Sequence, residues 1–87
     1  MNYMYCKYVS KTNPECTTYI RVAKDGLAEA IKLNDQTGKI TSYHGKLHFN
    51  TENTWDCNFV DDDGKSSSFT VTLIPIWEED FLKAAGL

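Results

Sequence analysis

The second half of the chain contains two stretches that alternate large apolar residues with polar ones, and they flank an Asp-Gly pair. Residues 54–60 form the first stretch and residues 67–74 the second. Such alternation is typical of antiparallel strands with one face in a core and the other in water. Asp63-Gly64 is a strong signal for a tight turn, because glycine adopts the positive φ that such turns require. The pattern therefore predicts a β-hairpin whose core face carries Trp55, Cys57, Phe59, Phe69, Val71 and Leu73.

The other segments predict further strands and a C-terminal helix. Residues 2–9 and 16–23 are rich in aromatic and β-branched residues and predict a hairpin with a turn at Asn13-Pro14. Residues 39–43 and 46–50 predict two short strands around a tight turn at His44-Gly45. Pro75 is expected to end the last strand. The acids of residues 78–80 suit the first turn of a helix, in which Trp77, Phe81 and Ala84 would close the core.

Residues 25–34 are compatible with two different elements. Asp25 is a good helix cap, and Leu27, Ala30, Ile31 and Asn34 share one helical face, which favours a short helix. The alternative is a strand over residues 29–33 with a turn at residues 34–38. With the helix, the order is β-β-α-β-β-β-β-α. This order predicts one α+β domain over residues 1–87, with a single antiparallel sheet and both helices on one face.

The charge of the chain is unevenly distributed. Residues 1–50 carry seven Lys and Arg against four acids, whereas residues 51–87 carry two Lys against eight acids. An acidic half argues against direct nucleic-acid binding, which needs a basic footprint, and suits a protein partner with a basic surface. The oligomeric state is not decided by the sequence. The candidate partner-binding residues are Glu52, Asp56, Asp61, Asp62, Asp63, Glu78, Glu79 and Asp80.

The Asp61–Ser68 stretch and the His and Cys residues do not match a familiar catalytic or metal motif. A calcium loop with Gly64 at its sixth position would need an acid at position 59 and a glutamate at position 70. Phe59 and Thr70 occupy those positions instead. A phosphate loop would need glycine at position 59 and a helix after Ser66. His44, His48 and the three cysteines lack zinc-site spacing. We therefore expect no enzyme activity, no cofactor and no metal.

The cysteine count bears on the compartment. Three cysteines are an odd number, and no apolar signal segment or membrane-spanning run is present. These features predict free thiols in a reducing compartment, the cytoplasm, without membrane attachment. Cys6 and Cys57 are expected to be buried, and Cys16 is expected to be the most exposed thiol.

An alternative function comes from the N-terminal strands, which combine aromatic and basic side chains. Aromatic rings with nearby cations can stack on bases and attract phosphates, so a small ligand or a nucleotide is an alternative partner. The candidate residues for that alternative are Tyr3, Tyr5, Tyr19 and Arg21.

In its size, acidity and β-β-α-β layout, the chain resembles the small inhibitors that bacteriophages encode against host systems, including anti-CRISPR proteins. The resemblance involves the whole chain and no particular residue. It implies a non-enzymatic protein that docks on a larger macromolecule, such as a nucleic-acid-handling system, and blocks it.

Overall fold

The computed structural model describes residues 2–50 and 52–86 and consists of one antiparallel sheet and one short helix. The seven strands lie in the order β6-β5-β4-β3-β2-β1-β7. The elements are β1 (Tyr3–Val9), β2 (Cys16–Ala23), β3 (Leu27–Asn34), β4 (Ile40–Phe49), β5 (Trp55–Asp61), β6 (Ser66–Val71), β7 (Ile74–Pro75) and α1 (Glu78–Ala84).

The sheet is strongly curled, and the connection between its two edge strands requires this. Strands β6 and β7 lie at opposite edges, yet only Thr72 and Leu73 separate them in the chain. A flat sheet would hold these edges about 29 Å apart, at about 4.8 Å per strand spacing. Three peptide units reach at most about 11 Å. The sheet therefore curls until its edges approach, and the rings of Tyr8 on β1 and Phe69 on β6 lie 5.3 Å apart.

The curl gives the sheet an inner face, which encloses the core, and an outer face. The predicted alternation of the β5–β6 hairpin is confirmed, since Cys57 and Phe59 are buried on the inner face and Phe69 packs against them. Ile20 on β2 and Cys57 have no exposed surface. The rest of the buried core consists of Cys6, Val22, Ala28, Ala30 and Leu47.

The predicted central helix is wrong, because residues 27–34 form strand β3. The Asp25 carboxylate accepts a hydrogen bond from the Leu27 N–H (3.1 Å) and stabilises a tight turn instead of capping a helix. Strand β3 pairs with β2 on one side and β4 on the other. These two ladders and the burial of Ala28 and Ala30 outweigh the helix propensity of the segment. The alternative, a strand followed by a turn at residues 34–38, is confirmed, and the fold is mostly β.

Two predicted strand boundaries are also wrong. His44-Gly45 is not a turn, because β4 runs without a break from Ile40 to Phe49 and pairs with β3 and β5 along its length. Pro75 does not end the strand of the hairpin, which stops at Val71. Pro75 belongs to β7 and pairs with Cys6 at the sheet edge, where a residue without an N–H is tolerated.

The predicted C-terminal helix is confirmed as α1, which packs on the outer face of β1 and β2. The Asp80 carboxylate accepts a hydrogen bond from the Trp77 N–H (3.2 Å) at the first turn. Gly86 ends the helix with a φ of 80°. Phe81 and Ala84 are buried, but the expectation for Trp77 is wrong, since this side chain is 76% exposed.

Candidate functional site

The acidic residues predicted to bind a partner lie in four separate places, one of which is Asp56, near the start of β5. Glu52 lies in the β4–β5 turn, and the acids of residues 61–63 lie at the tip of the β5–β6 hairpin, at the other end of β5. A strand of seven residues places these two groups about 20 Å apart. The acids of residues 78–80 are on α1, which packs on β1 and β2. The hairpin and its two ends therefore hold one group of acids, and the helix holds another.

Asp61 differs from its acidic neighbours because its carboxylate builds the turn. Its Oδ1 atom accepts hydrogen bonds from the backbone N–H groups of Asp63 and Lys65, both at 2.9 Å. The Gly64 N–H donates to the Asp61 carbonyl, and Gly64 has the positive φ that the sequence predicts, 82°. Asp62 and Asp63 are exposed, and no described residue accepts or donates a side-chain hydrogen bond with them. Only these two carboxylates of the tip are free to meet a partner.

We expect Asp61→Ala to lower the free energy of unfolding by about 1 kcal/mol, because two backbone N–H groups lose their acceptor. Asp62→Ala is the matched control and should change it by less than about 0.5 kcal/mol, as exposed substitutions usually do. Urea unfolding of the two variants measures both values. Equal losses in the two variants would contradict the assignment of the turn to Asp61.

Asp56 lies on the outer face in the middle of a cross-strand hydrogen-bonded group. The Thr70 hydroxyl on β6 donates to its carboxylate (2.7 Å), and so does the side-chain amide of Asn50 (2.9 Å). These bonds favour the charged form, and the pKa of Asp56 is lowered, mainly by Thr70 and next by Asn50. One pair further along, the Ser68 hydroxyl donates to Asn58 Oδ1 (2.8 Å). These five side chains of the face are thus oriented by hydrogen bonds to one another.

The outer face of β4, β5 and β6 is a polar surface, on the opposite side of the sheet from the core. The register aligns three rows across the strands, and α1 packs elsewhere, on β1 and β2. The alternation of residues 67–74 identified the apolar residues on the opposite, inner face. It did not identify Asn50, Ser68 and Thr70 as site residues. For Ser68 and Thr70 the signal was the polar half of the same alternation, whereas Asn50 lies outside it. The three rows are His48–Asp56–Thr70, Lys46–Asn58–Ser68 and His44–Val60–Ser66.

The aromatic and basic residues of the N-terminal strands are brought together, but mostly to hold α1. The guanidinium of Arg21 lies 4.8 Å from the centre of the Tyr3 ring and 5.4 Å from that of Phe81. Arg21 also forms an ion pair with Glu29 (2.9 Å), and Tyr5 packs on Phe81 with ring centres 5.8 Å apart. These contacts occupy ring faces that a base would need. Binding of a ligand through Tyr3, Tyr5, Tyr19 and Arg21 stays a prediction.

The histidines and cysteines lie on different faces of the sheet. His44 and His48 are exposed on the outer face, whereas Cys57 belongs to the core. Burial raises the pKa of Cys6 to about 11 and that of Cys57 to about 12, so both thiols stay protonated. Cys16 is the most exposed of the three cysteines, as expected, but at 8% exposure it is still buried, at the start of β2. Among residues 2–50 and 52–86, no group of three His, Cys, Asp or Glu side chains is arranged to hold a metal ion.

Comparison with known proteins adds no relative to this description. No protein-family model matches the chain, and neither does a curated protein or a solved structure. The described part of the chain also contains no helix that is long and apolar enough to cross a membrane. The β-β-α-β layout that contributed to the resemblance to phage inhibitors is absent, because β3 replaces the helix.

Proposed function

We propose that this protein is a non-enzymatic binding protein that docks on a basic surface of a larger macromolecule through its β5–β6 hairpin. The observation that carries the proposal is that exposed carboxylates without a paired cation lie at both ends of this hairpin, on either side of its hydrogen-bonded polar face. Glu78 and Glu79 are exposed and without a described cation partner as well, but they lie on α1, away from that face. Among the described residues, the only ion pair joins Arg21 to Glu29, on other strands. Glu52, Asp62 and Asp63 are all exposed.

Exposed carboxylates without a paired cation attract a basic partner before contact is made. The screening length at physiological salt is about 8 Å, so carboxylates at the rim of a surface attract a basic partner during approach. Such steering raises the association rate more than it lowers the dissociation rate. The two acidic ends, about 20 Å apart along β5, also favour a partner with two basic patches at a matching distance.

The surface between the two ends supports docking because it is already ordered. Thr70, Asp56 and Asn50 fix one another by hydrogen bonds, and Ser68 fixes Asn58. Side chains that are immobile before binding lose less conformational entropy when a partner covers them. β6 is also an edge strand, and no described strand is hydrogen-bonded to its outer side.

The proposal includes the inhibitor role that the sequence suggests. If the basic surface is itself a functional one, such as a nucleic-acid channel, an acidic protein seated on it excludes the natural ligand.

The absence of catalysis in the proposal is supported by the protonated state of Cys6 and Cys57. Free thiols buried in the core suit the reducing cytoplasm, and recovery of the protein from a secreted fraction of native cells would contradict that location.

The test compares two pairs of substitutions that remove the same charge. Asp62→Asn with Asp63→Asn neutralises the hairpin tip, and Glu78→Gln with Glu79→Gln neutralises the helix. A partner captured from the native host is purified, and its association and dissociation rates are measured at several salt concentrations. We expect the hairpin pair to slow association several-fold at low salt and to flatten the salt dependence. The helix pair should leave both close to the wild-type values.

Three outcomes count against the proposal. Equal effects of the two pairs would reduce it to a general effect of net charge. Unchanged association in the hairpin pair, also after adding Glu52→Gln, would remove the acidic hairpin as the docking surface. Loss of binding in Tyr19→Ala alone would move the site to the N-terminal strands.

A further inference from the structure

A cavity of about 180 Å³ opens at one end of the curled sheet, inside the inner face. It lies where β2 begins and β3 ends, and the β1–β2 loop contributes to its rim. Residues from all six long strands line it, so its shape depends on the complete curl of the sheet. Its lining includes Tyr8, Thr18, Lys32, Tyr43, Phe59 and Phe69.

Lys32 is the charged residue of this cavity. It belongs to the inner face of β3, opposite Thr18 on β2, and its amine lies 5.7 Å from the centre of the Tyr43 ring. No acidic side chain lines the cavity, and Lys32 forms no ion pair with any residue that the structure describes. Lys32 is half-buried, and a lysine drawn into a protein interior is usually paired with a carboxylate. Here its neighbours are an aromatic ring and a buried hydroxyl, that of Thr18, which leave its charge uncompensated.

Aromatic rings form the walls around this amine. The ring centres of Tyr8 and Phe69 are 5.3 Å apart, those of Phe59 and Phe69 are 6.1 Å apart, and those of Tyr43 and Phe59 are 6.2 Å apart. Burial raises the pKa of Tyr8 to about 12, so its hydroxyl stays neutral and able to donate a hydrogen bond. The pocket therefore combines an apolar lining with one cation and neutral hydroxyls.

The volume limits what the cavity can hold. Pockets for drug-sized ligands have about 300 to 1,000 Å³, so such a ligand is too large. An apolar cavity of about 150 Å³ is known to hold one benzene molecule. A volume of about 180 Å³ thus accepts one six-membered ring with a small substituent.

We propose that this cavity binds a small aromatic monocarboxylate, with the ring between Tyr8, Phe59 and Phe69 and the carboxylate on Lys32. The hydroxyl of Tyr8, beside Thr18 in the cavity wall, is the donor available to the second carboxylate oxygen. The cation thereby gains the anionic partner that the chain itself does not provide, and the ring covers apolar surface that water otherwise contacts. This site is independent of the acidic hairpin tip proposed above.

Benzoate is the probe, and benzamide is its uncharged counterpart of nearly the same shape. Titration of the full-length, isotopically labelled protein is followed by NMR. We expect benzoate to give saturable shifts centred on residues 18, 32, 43 and 69, with a millimolar dissociation constant. Benzamide should bind at least about tenfold more weakly, because a charge-assisted hydrogen bond is lost.

Substitutions of two lysines on neighbouring segments provide the matched control. Lys32→Met should weaken benzoate binding about tenfold or more and leave benzamide binding unchanged, whereas Lys32→Arg should retain most of it. Lys39→Met removes an exposed lysine outside the cavity and should bind benzoate like the wild type. Equal affinity for benzoate and benzamide in the wild-type protein would overturn the proposal. NMR shifts spread over the exposed lysines would also overturn it, and so would shifts that do not saturate with benzoate.

Discussion

Gly45→Ala is expected to lower the free energy of unfolding by at least about 3 kcal/mol. For a domain of this size, that loss corresponds to a fall in Tm of at least about 12 °C. Gly45 lies on β4 between Ala28 of β3 and Phe59 of β5. A Cβ atom built there falls on the backbone carbonyl of Asn58, 2.8 Å from its carbon. Because the obstacle is backbone on a paired strand, no side-chain rotation relieves the clash, and β4 or β5 must move.

Gly38→Ala is the matched control for this prediction. Gly38 has a φ of 75° in the β3–β4 turn, and nothing lies within 4 Å of the Cβ that alanine would add. Its substitution should cost only the left-handed backbone penalty, about 1 kcal/mol. Thermal unfolding of both variants, followed by circular dichroism, measures the difference. Equal losses would show that the approach of β4 to β5 is looser than the structure has it.

Phe81→Ala is the second large effect, with an expected loss of about 3 kcal/mol. Phe81 is 3% exposed and packs on Tyr5, with the Arg21 guanidinium 5.4 Å from its ring centre. Truncation leaves a cavity between α1 and the outer face of the sheet. It also removes the ring that covers one face of the Arg21 guanidinium, whose Nε atom is buried without a hydrogen-bond partner among the described residues. Denaturant unfolding reports the loss.

Trp77→Ala is the control, since it removes a larger ring from the residue that precedes the same helix. Because Trp77 is 76% exposed, its loss should change the free energy of unfolding by less than about 0.5 kcal/mol. A large loss of stability for Trp77→Ala, or a small one for Phe81→Ala, would mean that α1 turns a different side towards the sheet. Hydrogen exchange at α1 distinguishes local detachment of the helix from global unfolding.

Several features of the fold were predictable because their causes are local. The β5–β6 hairpin follows from an alternation of period two and from Gly64, whose positive φ a tight turn requires. Helix α1 follows from its acidic first turn and from Gly86. The N-terminal hairpin follows from two β-rich runs separated by Asn13-Pro14. In each case, the whole signal lies within a segment of about twenty residues or fewer.

The candidate sites were less predictable, because the residues of each come from distant positions. Alternation placed Asp56 on a wet face, but its contact with Thr70 depends on the register of β5 against β6. The charge pattern identified the acids of residues 61–63 as one group, whereas the turn geometry separates Asp61 from the other two. Lys32 carried no signal at all, since its importance arises only from the cavity around it.

Tertiary structure alone decided the state of residues 27–34 and the curl of the sheet. The segment from Leu27 to Asn34 has helix-forming residues, and it becomes a strand because β2 and β4 offer hydrogen bonds on both sides. The curl follows from the two residues that join β6 to β7 across the sheet edges. By itself the sequence determined the turns at Asn13-Pro14 and Asp63-Gly64 and the apolar face of the β5–β6 hairpin, because these depend on local backbone preference and side-chain polarity. Strand neighbours and the shape of the enclosed space depend on contacts between distant segments, which no local pattern encodes.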